Sequence, residues 1–152
     1  FDLMVKNSPQ ILNEIILLGA QRIIFHIESS KKEELKNLID KAKEAEVEVG
    51  ISLNNDTPLE TILPFVDKID FVQLMGIARI GFQGEPFDER VIERIKKLKK
   101  DYQNLAISID GGVNFETAPF LVGAGADRLV SGSAIFESGD IVDAICKLKM
   151  IQ

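Results

Sequence analysis

The sequence lacks several features that would place it in common classes of protein. It contains one cysteine, Cys146, so no intrachain disulfide can form, and it has no tryptophan. No apolar run approaches the roughly 18 residues of a membrane-spanning helix. The formal net charge of −6 gives no basic excess, so neither nucleic acid nor an anionic membrane is an expected partner.

Targeting signals are also missing from the sequence. The first residues show no basic segment followed by an apolar one, so nothing indicates secretion and the cytoplasm is the expected location. The 152 residues are 45% hydrophobic and 28% charged, which favours one globular domain over residues 1–152. Cys146 lies in an apolar pattern with Ile145 and Leu148, which predicts a packed side chain rather than a reactive one.

The chain repeats one unit six times, in which a short apolar run precedes a helical or turn-rich segment. The predicted strands span residues 2–5, 22–27, 48–53, 71–75, 106–109 and 128–130. Residues 31–46 and 89–100 carry apolar side chains at helical spacing, and residues 133–136 predict a short helix before a final one. Regular alternation of this kind predicts an α/β fold with a parallel sheet.

Two architectures with a parallel sheet compete for this pattern. A doubly wound open sheet usually binds phosphate after its first strand, through a Gly-x-Gly-x-x-Gly turn. That position holds Lys6-Asn7-Ser8-Pro9, which contains no glycine. A (βα)8 TIM barrel often binds phosphate in the loops after its last two strands, and here these loops carry Gly111-Gly112 and Gly132-Ser133. The pattern therefore favours a TIM-type barrel, of which these six units would be the third to the eighth.

The glycine pairs are the strongest chemical signal. In Asp110-Gly111-Gly112, two glycines let the backbone approach an anion, and Asn114 would cap a following helix. A tight turn without a ligand is the alternative for this motif alone. Gly132-Ser133 in the neighbouring loop makes a shared phosphate site the better interpretation, and Asp110 is the best acid–base candidate.

Polar residues at alternate strand positions predict a common lumen. Asp2 shares a strand face with Met4, His26 with Glu28, and Gln73 with Met75. His26, the single histidine, could bind a substrate hydroxyl or a metal, although a hydrogen-bonded lumen histidine is the simpler interpretation. Arg79, in the irregular segment 76–86, could reach a phosphate or lie exposed.

These motifs resemble the ribulose-phosphate 3-epimerase family along nearly the whole chain. Asp2-Leu3-Met4-Val5 resembles that family's His-Leu-Met-Val strand, and Phe25-His26-Ile27-Glu28 matches its Phe-His-x-Glu. Gly81-Phe82-x-Gly84 resembles its Gly-Phe-Gly-Gly loop. Asp110-Gly111-Gly112-Val113-Asn114 and Gly132-Ser133-Ala134-Ile135-Phe136 match without change.

The resemblance implies an isomerase that moves a proton at carbon 3 of a pentulose 5-phosphate, with a divalent metal such as Zn, Fe or Mn. It implies Asp110 as catalytic residue and metal ligand, and a substrate pocket lined by Met4, His26 and Met75. The implied phosphate-binding residues are Gly81, Gly84, Gly111, Gly112, Gly132 and Ser133. The family's first two strands, which carry one acid and one metal histidine, have no counterpart, and Asp2 stands where the second metal histidine is expected.

The resemblance thus implies a truncated barrel, open where the first two units are missing. Unpaired edge strands invite association, so a homodimer through the open barrel edges is expected. Three functions follow as alternatives: an epimerase-type enzyme of carbohydrate metabolism, a non-catalytic remnant that binds phospho-ligands, and a purely structural fragment. Asp2 with Asp110, with or without His26, could form an oxygen-rich metal site in the first case.

Overall fold

A computed structural model describes residues 1–5, 8–82 and 85–151 of the chain. The strands are β1 (Asp2–Leu3), β2 (Arg22–His26), β3 (Glu48–Leu53), β4 (Phe71–Met75), β5 (Ala106–Asp110) and β6 (Arg128–Val130). The α-helices are α1 (Ser8–Leu17), α2 (Lys32–Glu44), α3 (Arg90–Asp101), α4 (Ala118–Ala124), α5 (Ser133–Phe136) and α6 (Ile141–Ile151). Short 3₁₀ helices occupy Ile27–Ser29 and Leu59–Ile62.

The six strands form one sheet whose spatial order, β1-β2-β3-β4-β5-β6, follows the chain. Asp2 pairs with Ile24 in the parallel ladder between β1 and β2, Arg22 with Glu48 in the next, and Ser108 with Arg128 between β5 and β6. Parallel neighbours need a crossover connection between them, which explains the alternation of strands with helices and turns. The predicted α/β fold with six parallel strands is confirmed.

The described residues group into two compact units. The first contains Phe1–Leu53 and Pro58–Gln73, and the second contains Asn54–Thr57 and Leu74–Gln152. The prediction of a single domain over residues 1–152 therefore stays a prediction.

The core of the first unit joins the sheet to α2. Val49 and Ile51 of β3 are fully buried, and so are Leu35 and Ile39 of α2. Gly50 makes room for the Phe71 ring, because a Cβ at residue 50 would lie 2.3 Å from Phe71 Cζ. The packing of β3 against β4 thus depends on the absence of a side chain at residue 50.

The core of the second unit combines β5 with α3 and α4. The fully or almost fully buried side chains here are Leu74, Val91, Ile95, Leu98, Ile107, Ile109 and Leu121. Strands covered on both faces are buried at successive positions, as β4 is throughout.

Several predicted positions differ from the structure. The strand predicted for residues 2–5 ends at Leu3, and the one predicted for 22–27 ends at His26. Glu28 lies in the 3₁₀ helix that follows, so the prediction that it continues the face of His26 is wrong. The predicted packing of Cys146 is also wrong. α6 buries Ala144 and Leu148, which are one turn apart, and leaves Cys146 exposed.

Among the described residues, no helix combines the length and the apolar character needed to cross a membrane.

Candidate functional site

The loop after β5 is built on two glycines with left-handed backbone. Gly111 has φ +91° and Gly112 has φ +67°, conformations that other residues rarely adopt. A Cβ on Gly111 would lie 2.8 Å from Ile77 Cγ1, and one on Gly112 would lie 2.9 Å from Phe87 Cδ2. Backbone conformation and packing therefore both require glycine at these positions, with or without a ligand.

The turn that follows is organised by two side chains. Thr117 Oγ1 donates to the carbonyl of Gly112 at 2.7 Å. Asn114 Oδ1 accepts from the backbone N–H groups of Glu116 and Thr117 at 2.8 and 2.9 Å. Because α4 begins only at Ala118, Asn114 caps this turn and not the helix, which corrects the predicted role of Asn114.

A side-chain hydrogen bond connects this loop to the next one along the sheet. Ser131, directly after β6, donates from Oγ to the carbonyl of Val113 at 2.9 Å, in partly buried surroundings. The loop continues through Gly132 into α5 at Ser133. The predicted adjacency of the two glycine loops is therefore present in the structure.

Gly132 differs from the glycines after β5. Its φ is −106°, outside the left-handed region, and a Cβ placed on it would meet no atom of the described residues within 4 Å. Packing against the part of the chain that the structure describes does not call for glycine here. The open space beside Gly132 is available to a ligand.

The segment after β4 packs on the Gly111 loop. Gly76 donates from its N–H to the carbonyl of Asp110 at 2.7 Å, and its own carbonyl accepts from the N–H of Asp88 at 2.8 Å. Ile77 and Phe87 form an antiparallel bridge. A Cβ on Gly76 would lie 2.2 Å from the carbonyl oxygen of Gly111, so this contact is backbone on backbone.

The outer part of that segment contains an arginine with an internal partner. Arg79 donates to Glu85 at 2.6 and 3.0 Å, and its guanidinium lies 5.3 Å from the centre of the Phe82 ring. The hydrogen bonds to Glu85 raise the pKa of Arg79. Gly81 has φ +86°, while Gly84 lies outside the described residues. The predicted alternative of a phosphate-binding Arg79 remains a prediction.

A cluster of arginines that the sequence analysis missed holds the loop after β3. Arg94 donates to the carbonyls of Asn54 and Asn55 at 3.2 and 3.1 Å. Arg90 donates to Asp56 and to Asp88, each at 2.6 Å. The only sequence signal was the i, i+4 spacing of the two arginines on α3, which places them on one side of the helix.

The first unit carries a separate polar cluster. His26 Nε2 lies 3.0 Å from Asp2 Oδ1, and Gln73 Nε2 donates to Asp2 Oδ2 at 3.1 Å. His26 and Gln73 are buried, with 5% and 1% of their surface exposed. We call these three residues the Asp2 triad.

The remaining candidate residues belong to different units. Met4, of the first unit, has 48% of its surface exposed, whereas Met75, of the second, is buried. Asp110, also of the second unit, is half-buried at the end of β5.

Comparison with known proteins identifies the family. The model of the ribulose-phosphate 3-epimerase family matches residues 1–136. The chain belongs to the ribulose-phosphate 3-epimerase family. The resemblance found in the sequence motifs is thereby confirmed.

Individual members of the family are similar along most of this chain. Ribulose-phosphate 3-epimerase of Schizosaccharomyces pombe is 33% identical over 147 residues, which are 97% of this chain and 63% of the relative. The Bacillus subtilis enzyme is 35% identical over 152 residues, which are 97% of this chain and 69% of the relative. The chain thus spans about two-thirds of the length of these epimerases.

Solved structures with low sequence identity share the fold. 3-Hexulose-6-phosphate synthase from Salmonella typhimurium matches with a TM-score of 0.78 and 17% identity, over 99% of this chain and 70% of that one. Orotidine 5'-monophosphate decarboxylase from Sulfolobus solfataricus matches with a TM-score of 0.71 and 18% identity, over 99% and 71%. The prediction of a TIM-type fold is confirmed.

Epimerases of this family generally use a divalent metal, which requires several side-chain ligands close together. Within the parts of the chain that the structure describes, no group of three or more His, Cys, Asp or Glu side chains is placed to hold a metal ion. One oxygen of Asp2 lies in hydrogen-bond contact with His26 Nε2, and the other accepts a hydrogen bond from Gln73. The donor set in this structure therefore does not fit such a metal.

Proposed function

We propose that this chain binds a pentulose phosphate through the loops after β5 and β6, with Asp110 as its acid–base residue. The observation that carries the proposal is the hydrogen bond from Ser131 to the carbonyl of Val113, which joins the two glycine loops. Membership of the ribulose-phosphate 3-epimerase family supplies the ligand class. Implied phosphate contacts are the backbone around Gly111, Gly112, Gly132 and Ser133, with Gly81 and Gly84 from the segment after β4.

Gly132 gives this proposal its sharpest support. Packing against the described residues does not explain glycine at this position, since an added Cβ meets none of their atoms within 4 Å. A phosphate that lies against the Gly132 backbone would explain the glycine, because its oxygens would occupy the space that a side chain takes.

The proposed chemistry is proton transfer at carbon 3 of the sugar. The Asp110 carboxylate takes the proton, and the C–H electron pair remains on the sugar as an enediolate. Return of a proton to the same face restores the substrate, and return to the other face gives the epimer. A single acid exchanges the proton with solvent even where inversion is slow.

Substitution of Gly132 tests the binding site without disturbing the fold. Gly132→Ala should leave the melting temperature within about 2 °C and weaken ribulose 5-phosphate binding about tenfold or more, as measured by calorimetry. Gly123→Ala is the matched control, since its Cβ also meets nothing within 4 Å and it lies in α4, away from the loops. Equal affinity of both variants and the parent would contradict phosphate binding at Gly132.

Deuterium exchange separates an enzyme from a binding remnant. Incubation of ribulose 5-phosphate in heavy water should remove the proton signal of carbon 3, and Asp110→Asn should abolish this exchange but retain binding. Binding without exchange in the parent protein would instead support the non-catalytic alternative.

The oligomeric state and location are part of the same proposal. β1 and β6 end the strand order, and in the second unit the exposed apolar side chains include Phe136, Ile141, Val142 and Met150. We infer that a second copy covers this apolar surface, so that the chain is a homodimer through its edge strands. A cytoplasmic location is proposed from the relative in Oryza sativa, which is named a cytoplasmic isoform.

A further inference from the structure

The Asp2 triad is built from three different strands. Asp2 lies on β1, His26 at the end of β2 and Gln73 in the middle of β4. His26 and Gln73 have 5% and 1% of their surface exposed, so both donors are held by the packing around them. The Asp2 side chain keeps 29% of its surface exposed, so the carboxylate lies at the boundary between the packed interior and solvent.

The hydrogen bonds of the triad specify which atom carries the imidazole proton. An ionised carboxylate can only accept, so His26 must donate from Nε2 to Asp2 Oδ1. Gln73 donates its amide N–H to Asp2 Oδ2. With Nε2 protonated, that nitrogen can bind a metal ion only after it has lost its proton and its hydrogen bond to Asp2.

We propose that the Asp2 triad is a metal-independent device that fixes the Asp2 carboxylate, and that it takes no divalent metal even though the family generally uses one. Hydrogen bonds from two protein groups restrain both oxygens of Asp2. In a metal site, the coordinated cation would restrain the carboxylate in the same way. Gln73 turns its amide N–H toward Asp2, and this group cannot coordinate a cation. His26 and Gln73 are accordingly positioning residues for Asp2.

A variant designed to gain a metal site provides a comparison with the parent protein. Gln73→Glu removes the donor and puts a third ligand group beside Asp2 and His26, which is the minimum protein donor set of open zinc sites. The carboxylate would be buried next to another one, so this variant should be less stable than the parent without metal. Zinc would relieve the repulsion and raise the melting temperature of the variant.

The first measurement is metal binding to protein stripped with a chelator and titrated with Zn²⁺ or Mn²⁺. The parent should retain far less than one equivalent after dialysis, with the same value for Asp2→Asn. Gln73→Glu should retain close to one equivalent and show a zinc-dependent rise in melting temperature that the parent lacks. One equivalent in the parent that is lost in Asp2→Asn would overturn the proposal.

A second measurement needs no variant, and it keeps the proposal testable if Gln73→Glu fails to fold. His26 is the only histidine, so its ring nitrogens can be identified in a ¹⁵N-labelled sample without assignment. The neutral ring should show a protonated Nε2 and an unprotonated Nδ1, and one equivalent of zinc should leave both resonances unchanged. A protonated Nδ1, or a zinc-induced shift at one equivalent, would refute the arrangement.

These results are independent of the proposed phosphate site. Gly132→Ala tests only the loops of the second unit, and the titrations above contain no sugar phosphate. Failure of sugar-phosphate binding with a metal-free triad would leave the triad proposal standing. Sugar-phosphate binding together with a metal bound at the triad would leave the phosphate proposal standing and refute the triad proposal.

Discussion

Single residues on α3 determine the shape of a loop far from them in the sequence. Arg90 and Arg94 lie one turn apart, and together they hold Asn54, Asn55 and Asp56. Arg94 satisfies two backbone carbonyls, which otherwise would have to find water or another donor. Arg90 instead joins two carboxylates, so its contribution depends on the charge of Asp88 and Asp56.

The Asp88–Arg90 pair predicts a pH-dependent contribution to stability. Hydrogen bonds from the Arg90 guanidinium hold the pKa of Asp88 below its ordinary value. A carboxyl whose pKa is lower in the folded state stabilises the fold above the unfolded-state pKa, and this stability disappears as pH falls through the folded-state pKa. Asp88→Asn should therefore lower the free energy of unfolding by about 1 kcal/mol near pH 7 and by less near pH 3.

Urea unfolding of the parent and the variant at both pH values checks this prediction. Glu93→Gln is the matched control, because Glu93 pairs with Lys96 on the same helix but has 78% of its side-chain surface exposed. The control should change stability little at either pH. A penalty for Asp88→Asn that is the same at pH 3 and pH 7 would contradict the assigned role of the charge.

Among single residues, those that the local backbone requires could be predicted from the sequence. Hydrogen-bond partners that are far apart in the chain could not. Gly111 and Gly112 could be found because a left-handed turn after a strand restricts the residue type at those two positions. The contact from Arg94 to the carbonyl of Asn55 spans 39 positions of the chain and requires no particular residue type at the acceptor. The partnership of His26 with Asp2 was foreseen only in general form, as a hydrogen-bonded lumen histidine.

For the strands, the sequence predicts that each one exists more reliably than it predicts where each one ends. β3, β4 and β6 have the predicted bounds, because their apolar runs end where turn residues begin. β2 ends one residue early, where Ser29 Oγ donates to the carbonyl of His26 and the chain enters a 3₁₀ helix. Such a bond leaves no trace in the apolar pattern, so the end of the strand could not be predicted.

Packing between β3 and β4 gives a prediction at the scale of elements. Gly50→Ala would place a Cβ 2.3 Å from Phe71 Cζ, and the Phe71 ring is buried beneath the Arg22 guanidinium at 5.4 Å. The ring has little freedom to retreat, so overpacking should cost about 1–3 kcal/mol of stability. Thermal unfolding measures the loss, and Phe71→Leu should restore part of it in the Gly50→Ala background. Unchanged stability in Gly50→Ala would contradict the close packing of residues 50 and 71.

For the whole molecule, the proposed dimer predicts a measurable mass. The exposed apolar side chains of α6 include Val142 and Met150, with 71% and 79% of their surface exposed. Sedimentation equilibrium should give a dimer for the parent and a monomer for Val142→Asp combined with Met150→Glu, since buried charges disfavour the interface.

Leu63→Asp is the control for this experiment. Leu63 is also exposed, at 53%, but it lies in the connection from β3 to β4, which are inner strands of the sheet order. This variant should remain a dimer. A monomeric parent at all concentrations would exclude the dimer, and dissociation of Leu63→Asp would place the interface elsewhere.

The family and the sixfold repeat were predictable for the whole chain because each strand–helix unit carries its own pattern. The grouping of the described residues into two compact units was not, since it depends on which side chains pack together across many turns of chain.

The agreement between sheet order and chain order has a consequence for synthesis. Each strand pairs with a segment that the ribosome has released shortly before, as Ile24 does with Asp2 and Arg128 with Ser108. In the β1–β2, β2–β3 and β5–β6 ladders the paired positions lie 20 to 26 residues apart, so these strands close only short loops on their predecessors. The sheet can therefore grow strand by strand during translation, with each new strand pairing on the edge that the previous strand left open.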